Sequence, residues 1–232
     1  MIRVWVIVLI LTAGVGMAQE LSGEKILENI ERTMEGVKDY TATLDIVADI
    51  EGVSVPPMKV TMYFKQPDKV HFESEGFALI PREGLAMGPA TLRANFQVDH
   101  VGWDTVHGAR AYRLTLLPRS ERTRARWVQV LVDPEHWTAE RIVTKMVDGR
   151  SIAATFHYAQ VEECWLPSHL DVTFASAEQD SNELPPWEEQ PQTTSRRRAP
   201  LKGTLQIRYS DYKVNTGLSD QLFDPRDGFR EP

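Results

Sequence analysis

The sequence predicts an α+β fold built from one antiparallel sheet and a single N-terminal helix. After an apolar leader, apolar residues recur at spacings of three and four, which is the helical period. From Tyr40 onward, apolar and polar residues alternate through about nine short segments, which is the period of strands. Most segments have one apolar face, and one helix is too narrow to cover them all. The sheet must therefore curve or bury that face against something else.

Residues 1–18 have the pattern of a signal peptide. Arg3 supplies the positive charge, Val4 to Leu11 the apolar run, and Gly16-Met17-Ala18 the small residues of a cleavage site. An uncleaved anchor is the alternative, but the apolar run is shorter than the roughly 20 residues that span a bilayer. We therefore expect residues 19–232 to form a single domain outside the cytosol.

The predicted helix covers Leu21 to Val37. Ser22 suits the N-cap position, and Leu21 can pack on Ile26 as a hydrophobic staple. The apolar stripe continues through Leu27, Ile30, Met34 and Val37.

Three strands joined by short turns follow, at Tyr40 to Ile50, Met58 to Lys65 and Val70 to Glu73. The turn Gln66-Pro67-Asp68 makes the last two an antiparallel pair. Their alternation predicts an inward apolar set: Leu44, Ile46, Val60, Met62, Phe64, Val70 and Phe72.

The stretch Glu75 to Thr91 is apolar but interrupted by glycine and proline, so a long strand or helix is not expected there. We interpret it as a lid over an apolar surface. Its apolar residues are Phe77, Leu79, Ile80, Leu85 and Met87.

Alternation resumes near Asn95 and predicts the rest of the sheet. The segments are Asn95 to Gly102, Tyr112 to Leu116, Trp127 to Val132, a hairpin about Asp148-Gly149, Leu170 to Phe174 and Leu205 to Tyr209. Their inward set is Leu114, Leu116, Val130, Val132, Ile142, Phe156 and Tyr158. Residues 176–200 are rich in Pro, Glu, Gln, Ser and Thr, and we expect a disordered loop between neighbouring strands.

Each inward residue taken alone also fits an ordinary packed core. The hypothesis of a ligand cavity therefore depends on the whole set, because too many one-faced strands share one helix.

Composition and motifs exclude several classes of function. The net charge of −7 argues against nucleic acid as the main partner. Cys164 is the single cysteine, so it forms no internal disulfide, and we expect it to be buried and inert. The histidines show no metal-ligand spacing, and no nucleophile elbow, P-loop or dinucleotide motif is present. We expect no metal, no cofactor and no enzymatic activity.

Four stretches resemble the periplasmic lipoprotein carrier superfamily, which includes the LolA-like and RseB-like folds. They are Ile26 to Leu44, Met58 to Glu73, Ala111 to Asp133 and Leu201 to Phe223, in family order and spacing. The resemblance implies a strongly curved, unclosed half-barrel, with helices and a short lid in its concavity and a cavity for acyl chains. The best-known carriers have an arginine before the turn proline and a phenylalanine after it. This chain has Gln66 and Val70 there, so Gln66 occupies the gating position.

The resemblance implies a monomeric periplasmic carrier of lipid or lipoprotein acyl chains, with inner-membrane donor and outer-membrane acceptor proteins as possible partners. The alternative is that the same fold serves as an envelope-stress sensor, a regulatory protein that binds a partner protein. An enzyme is the third reading, and no motif favours it.

Overall fold

The structure is a computed structural model that describes residues 21–52, 54–74, 89–175 and 202–224. The predicted signal peptide, the apolar residues of the predicted lid and the predicted loop 176–200 lie outside these ranges. Among the described residues, no helix is both long and apolar enough to cross a membrane.

The described chain forms one ten-stranded antiparallel sheet with two short helices, α1 (Gly23–Thr33) and α2 (Pro89–Asn95), and a 3₁₀ helix at Asp220–Phe223. The strands are β1 (Asp39–Ile50), β2 (Met58–Lys65), β3 (Lys69–Ser74), β4 (Phe96–Val106), β5 (Ala109–Pro118), β6 (Ala125–Val132), β7 (Ala139–Met146), β8 (Ser151–Val161), β9 (Cys164–Ala175) and β10 (Gly203–Val214).

The strand order is β3-β2-β1-β10-β9-β8-β7-β6-β5-β4, so β3 and β4 are the two edges and the sheet is not closed. Strands β4 to β10 follow one another as a meander. The exception to sequential order is β1, which lies between β2 and the last strand, β10. The predicted α+β, unclosed half-barrel class is confirmed.

Helix α1 begins where the sequence predicts. The Ser22 side chain accepts a hydrogen bond from the Lys25 backbone N–H at 3.3 Å, which satisfies one of the donors left free at a helix start. The helix buries Ile26, Leu27 and Ile30. It ends at Thr33, earlier than the predicted end at Val37, because the chain must turn there to enter β1.

The start of α1 lies very close to β4. A Cβ built on Gly23 would lie 2.3 Å from Cγ1 of Val98 and 3.0 Å from Cγ2 of Val101. Glycine at this position therefore lets the helix approach the edge of the sheet.

The ten strands of the sheet correspond to the alternating segments predicted from the sequence. The sequence did not predict α2, a short helix that begins at the end of the glycine- and proline-rich stretch. Leu92 of α2 is buried beside α1, so tertiary burial stabilises a helix that local composition does not favour.

Candidate functional site

The register of the sheet places the predicted cavity residues on one face. Leu44 pairs with Val60, and Met62 with Phe72. In the β4–β7 half of the sheet, Ile142 of β7 pairs with Val130 of β6, and Val130 pairs with Leu114 of β5. Because paired residues project to the same side of a sheet, the apolar inner face continues from edge to edge. Every predicted cavity residue except Tyr158 belongs to or packs against one of the two apolar clusters of this face.

The first cluster, which we call the helix cluster, joins α1 to the β4–β7 half of the sheet. It contains the buried α1 residues together with Leu92, Phe96, Leu114, Leu116, Val130, Val132 and Ile142. The apolar stripe of α1 is therefore buried against this half of the sheet.

The second cluster, which we call the sheet cluster, lies on the other half. Its buried members include Val37, Tyr40, Leu44, Ile46, Val60, Met62, Leu166, Leu170 and Ile207. Val37 and the half-buried Met34, which follow α1, pack in this cluster. None of the buried residues of α1 belongs to it. Phe156 packs against both clusters and so joins them.

The half-buried apolar residues of the sheet cluster include four on β2 and β3, at one edge of the sheet. Phe64, Val70 and Phe72 are partly exposed beside buried Met62, and Met58 is partly exposed at the other end of β2, beside buried Ile46 and Val60. The apolar surface thus runs from a closed interior to a more open edge.

Gln66, the predicted gating residue, links the β2–β3 turn to the end of α1. Its backbone N–H donates to the Lys38 carbonyl at 2.9 Å, and its side-chain amide donates to the Met34 carbonyl, the C-cap of the helix. The Met34 carbonyl also accepts from the Val37 backbone N–H at 2.9 Å, so the amide adds a second hydrogen bond at the end of the helix. A gating role for Gln66 stays a prediction.

Four tyrosines, Tyr40, Tyr158, Tyr209 and Tyr212, line the interior near the sheet cluster. Tyr40 stacks on Phe64 with ring centroids 5.0 Å apart, and it meets Tyr212 edge to face at 5.5 Å. Tyr212 stacks with Tyr209 at 6.4 Å. Tyr158 lies 6.2 Å from Phe156, ring to ring. Of these, the sequence predicted only Tyr158 as a site residue.

A bulge in β10 gathers the tyrosines of that strand on the inner face. Thr41 pairs with Lys213 but Thr43 pairs with Ser210, so β10 has one extra residue at this point. The extra residue is Asp211, whose φ of 53° lies in the left-handed region that aspartate tolerates better than most residues. Strict alternation would place Tyr209 and Tyr212 on opposite faces, and the bulge puts them on the same one.

Burial raises the pKa of all four tyrosines above the ordinary value, so their hydroxyls are neutral at physiological pH. Smaller contributions come from the neighbouring tyrosines, and Glu140 adds to the raised pKa of Tyr158. No cation contributes to the pKa of any of them within the described chain.

A buried aspartate anchors the chain after β10. The Asp39 carboxylate is 4% exposed and accepts backbone hydrogen bonds from Thr216, Gly217 and Leu218 at 2.8–3.2 Å. Farther along, Lys65 and Lys69 hold the pKa of Asp220 down to about 2 by hydrogen bonding and charge. The segment after β10 is therefore tied to the start of β1 and to the β2–β3 hairpin.

Three histidines that are far apart in the sequence come together outside the inner face. The His107 and His157 rings lie 4.3 Å apart, and those of His157 and His169 lie 5.9 Å apart. His107 Nε2 is 3.1 Å from the Phe156 carbonyl oxygen, which ties the β4–β5 turn to β8. No group of His, Cys, Asp and Glu in the described ranges has the geometry to hold a metal ion.

A polar cleft of about 500 Å³ lies at the C-terminal end of α1 and the β8–β9 turn. Cys164 lines it and is partly exposed, so the expectation of a buried cysteine was wrong. The rest of the lining is Arg32, Thr33, Gly36, Glu162, Glu163 and Asn215.

Solved structures share this architecture at low sequence identity. A protein domain assigned by name to outer membrane lipoprotein sorting, from Vibrio parahaemolyticus, has a TM-score of 0.57 and 14% identity, with 88% of this chain and 98% of that chain covered. A DUF1329 family protein from Desulfovibrio piger has a TM-score of 0.60 and 12% identity, covering 88% and 97%. A LolA superfamily protein from Nitrosomonas europaea has a TM-score of 0.54 and 10% identity, also covering 88% and 97%.

No family model matches the sequence, and no curated protein matches it. The likeness to solved structures, together with the topology, establishes that the chain has a LolA-like fold.

Proposed function

We propose that this protein is a periplasmic carrier that binds lipid or lipoprotein acyl chains on the inner face of its half-barrel and carries them towards the outer membrane. The observation that carries the proposal is the graded burial of the sheet cluster, where half-buried Met58, Phe64, Val70 and Phe72 continue directly into fully buried neighbours. Apolar side chains left partly open beside a deep apolar interior are typical of binding surfaces.

The division of the inner face supports the same function. The buried residues of α1 all pack into the helix cluster, and the sheet cluster is approached from the helix only by Met34 and Val37. Helix α1 therefore covers one half of the inner face, and on the other half the cluster has partly exposed residues at the β3 edge that a bound acyl chain could cover.

The energetics suit capture of an acyl chain. Burial of each methylene contributes about 0.8 kcal/mol, so a chain of ~16 carbons contributes up to about 13 kcal/mol before ordering costs. Release then requires a competing apolar acceptor or a conformational change, and the predicted lid and Gln66 are the proposed elements for this step. The predicted signal peptide and the LolA-like fold support the periplasmic location.

Native mass spectrometry of the protein purified from its own periplasm tests the proposal. We expect adducts with the masses of lipids or of an acylated protein, together with binding of the apolar fluorescent probe N-phenyl-1-naphthylamine. Absence of bound lipid, together with no increase in probe fluorescence on addition of the protein, would overturn the carrier function.

A matched pair of substitutions on β3 tests the face. Val70 lies on the inner face and His71 on the outer face of the same strand. Val70→Glu is expected to weaken probe binding at least about tenfold, because burial of a charge beside an acyl chain is costly. His71→Glu places the same charge in water and is expected to leave binding within about twofold. Equal effects of both substitutions would argue against the inner face as the site.

A further inference from the structure

A group of cations on the outer side of the half-barrel has no ion-pair partner in the described chain. Arg122 and Arg124 lie in the connection between β5 and β6, Arg126 lies near the start of β6, and all three are exposed. Lys145 of β7 is half-buried and likewise forms no ion pair with a described residue. Like charges gathered in one place repel one another, so such a group favours an anionic partner.

Nearby acidic residues are engaged by other arginines. Asp148 in the β7–β8 turn binds Arg150, with Nη2 and Oδ2 2.7 Å apart. Glu24 of α1 lies 3.7 Å from Arg119, oxygen to nitrogen. Within the β5–β6 connection, Glu121 is the one acidic residue of the sequence. The group therefore keeps an excess of positive charge, although the whole chain has a net charge of −7.

Backbone contacts hold the connection that carries these arginines. The Val147 N–H donates to the Arg124 carbonyl at 2.9 Å, which ties the β7–β8 turn to the β5–β6 connection. Within the connection, the Thr123 N–H donates to the Ser120 carbonyl at 3.1 Å, and the Arg122 N–H donates to the Ser120 hydroxyl at 3.3 Å. The charges are therefore held close together by an ordered pair of turns.

Apolar side chains accompany the cations. Val147 is 67% exposed, which makes it the most exposed large apolar side chain of the described residues. Trp127 is half-buried and pairs with Lys145 across the β6–β7 ladder. Its neighbour Val128 packs in the helix cluster, so Trp127 faces the outer side of the sheet. A tryptophan and an open valine among cations suit the boundary between water and a bilayer, where indole rings lie at the level of the headgroups.

A bilayer fits this combination better than an acidic polypeptide does. Guanidinium groups bind phosphate through paired hydrogen bonds, so the phosphates of lipid headgroups suit the arginines. An acidic polypeptide neutralises the same charges but offers no apolar phase for Val147 and Trp127. A bilayer offers both, because its apolar region begins just below the headgroups.

We propose that this outer surface docks the protein on a bilayer that is rich in anionic headgroups. The surface, which we call the basic patch, consists of Arg122, Arg124, Arg126, Trp127, Lys145 and Val147. Each basic residue close to an anionic bilayer strengthens attachment about fivefold. The basic patch and the proposed acyl-chain site lie on opposite faces of the sheet, so this inference goes beyond the carrier function and does not depend on it.

Co-sedimentation of the exported protein with large vesicles tests the docking. Vesicles of phosphatidylcholine alone are compared with vesicles that contain about one third phosphatidylglycerol. At low salt we expect at least about tenfold tighter binding to the anionic vesicles, and we expect this preference to fall in about 0.5 M NaCl, because salt screens exposed charges. Equal binding to both vesicles, no binding to either, or binding to poly-L-glutamate alone would overturn the proposal.

A charge-matched pair of double variants tests the position of the surface. Arg122→Gln/Arg124→Gln is expected to weaken binding to the anionic vesicles at least about tenfold. Arg208→Gln/Lys213→Gln is the control, since it removes two exposed cations of β10 and so gives the same net charge. Its expected effect is less than about threefold, because charges away from the bilayer are screened. Equal losses in the two variants would show an effect of net charge and would overturn the basic patch.

Two exposed valines test the apolar part of the contact. Val147→Asp is expected to weaken vesicle binding about tenfold or more, because it removes an apolar contact and adds a charge that the bilayer repels. Val47→Asp makes the same change at a valine of β1 that is 51% exposed, and it is expected to alter vesicle binding less than about twofold. Equal effects of the two substitutions would overturn the basic patch.

Binding of the apolar probe separates this proposal from the carrier function. Every variant of the basic patch changes an exposed residue, so each is expected to keep its circular dichroism spectrum and to bind N-phenyl-1-naphthylamine as the wild type does. A wild-type protein that binds the probe but not the anionic vesicles would overturn the docking surface alone. A protein that binds the vesicles but not the probe would support the docking surface and count against the carrier function.

Discussion

At the scale of single residues, Asp39 shows how one buried carboxylate organises the end of the domain. It lies at the first position of β1, and its oxygens collect three successive backbone N–H groups from the segment after β10. Asn215 adds two bonds, in which its side chain accepts from the Lys38 N–H and donates to the Gly36 carbonyl. The start of β1 and the segment after β10 are therefore built as one unit.

Asp39→Asn is expected to lower the free energy of unfolding by about 2–4 kcal/mol, because it replaces charge-assisted hydrogen bonds by weaker ones and leaves a backbone donor unpaired. Urea denaturation measures the change. Asp45→Asn is the matched control, since Asp45 lies on the same strand but is exposed, with Lys59 at 3.6 Å. Its expected effect is within about 0.5 kcal/mol, and a loss as large as that of Asp39→Asn would contradict this account.

At the scale of elements, α1 depends on close approach as well as on its apolar stripe. The backbone at Gly23 lies so close to Val98 of β4 that a side chain would not fit there. A few residues later, Ile26, Leu27 and Ile30 pack in the helix cluster. The sequence identified the stripe, but the approach at Gly23 depends on where β4 lies.

Gly23→Ala is expected to destabilise the protein by about 1–3 kcal/mol, since the new methyl group forces Val98 or the helix to move. Thermal unfolding followed by circular dichroism measures this change. Val98→Ala in the Gly23→Ala background removes the closest atom and is expected to recover part of the loss. A Gly23→Ala variant as stable as the wild type would show that the helix start moves freely.

The histidine contact between the β4–β5 turn and β8 predicts a pH dependence. The pKa of His157 is lowered first by burial and then by His107 and His169, while Asp171 acts in the opposite direction. Glu140 faces His107 from β7, with Nε2 and Oε2 3.5 Å apart. Because the folded-state pKa of His157 lies below its unfolded value of about 6.5, the fold favours the neutral ring. Its stabilising contribution is complete above that value and is lost as the pH falls through the folded-state pKa.

Denaturation at pH 7.5 and pH 5.5 tests this dependence. His157→Gln is expected to lose less stability on acidification than the wild type, because it has no proton to gain at this position. The control is His100→Gln, a substitution of an exposed histidine on β4, which is expected to follow the wild type. A His157→Gln profile identical to the wild-type profile would rule out the contact as a source of pH dependence.

At the scale of the whole molecule, the predicted cargo is expected to stabilise the fold. A ligand that binds only the folded state adds about 2.7 kcal/mol at one hundred times its Kd. For a domain of this size, that corresponds to a rise in Tm of about 5–10 °C. Thermal unfolding with and without methyl palmitate measures the shift. A Tm unchanged at saturating ligand would contradict binding inside the half-barrel.

The faces of the strands could be predicted from the sequence, while several contacts between strands could not. Alternation of period two assigns Leu44, Val60 and Leu114 to the inner face without knowledge of their partners, and their register agrees with that assignment. The bulge at Asp211 breaks the period at one residue, so Tyr212 could not be assigned to the same face as Tyr209 from sequence alone. The meeting of His107 with His157 depends on how far two hairpins extend, and alternation carries no information on that length.

The position of β10 has a consequence for the biogenesis of the protein. Among the strands that the structure describes it is synthesised last, yet it joins the β1–β3 hairpins to the β4–β9 meander in the middle of the sheet. Until residues 203–214 emerge, β1 and β9 each present an unpaired edge with an apolar face, and such edges invite aggregation. The nascent chain is therefore expected to need a holding chaperone until β10 is made. It is also expected to fold slowly, because the pairing of β1 with β10 closes the longest loop among the described strand pairs.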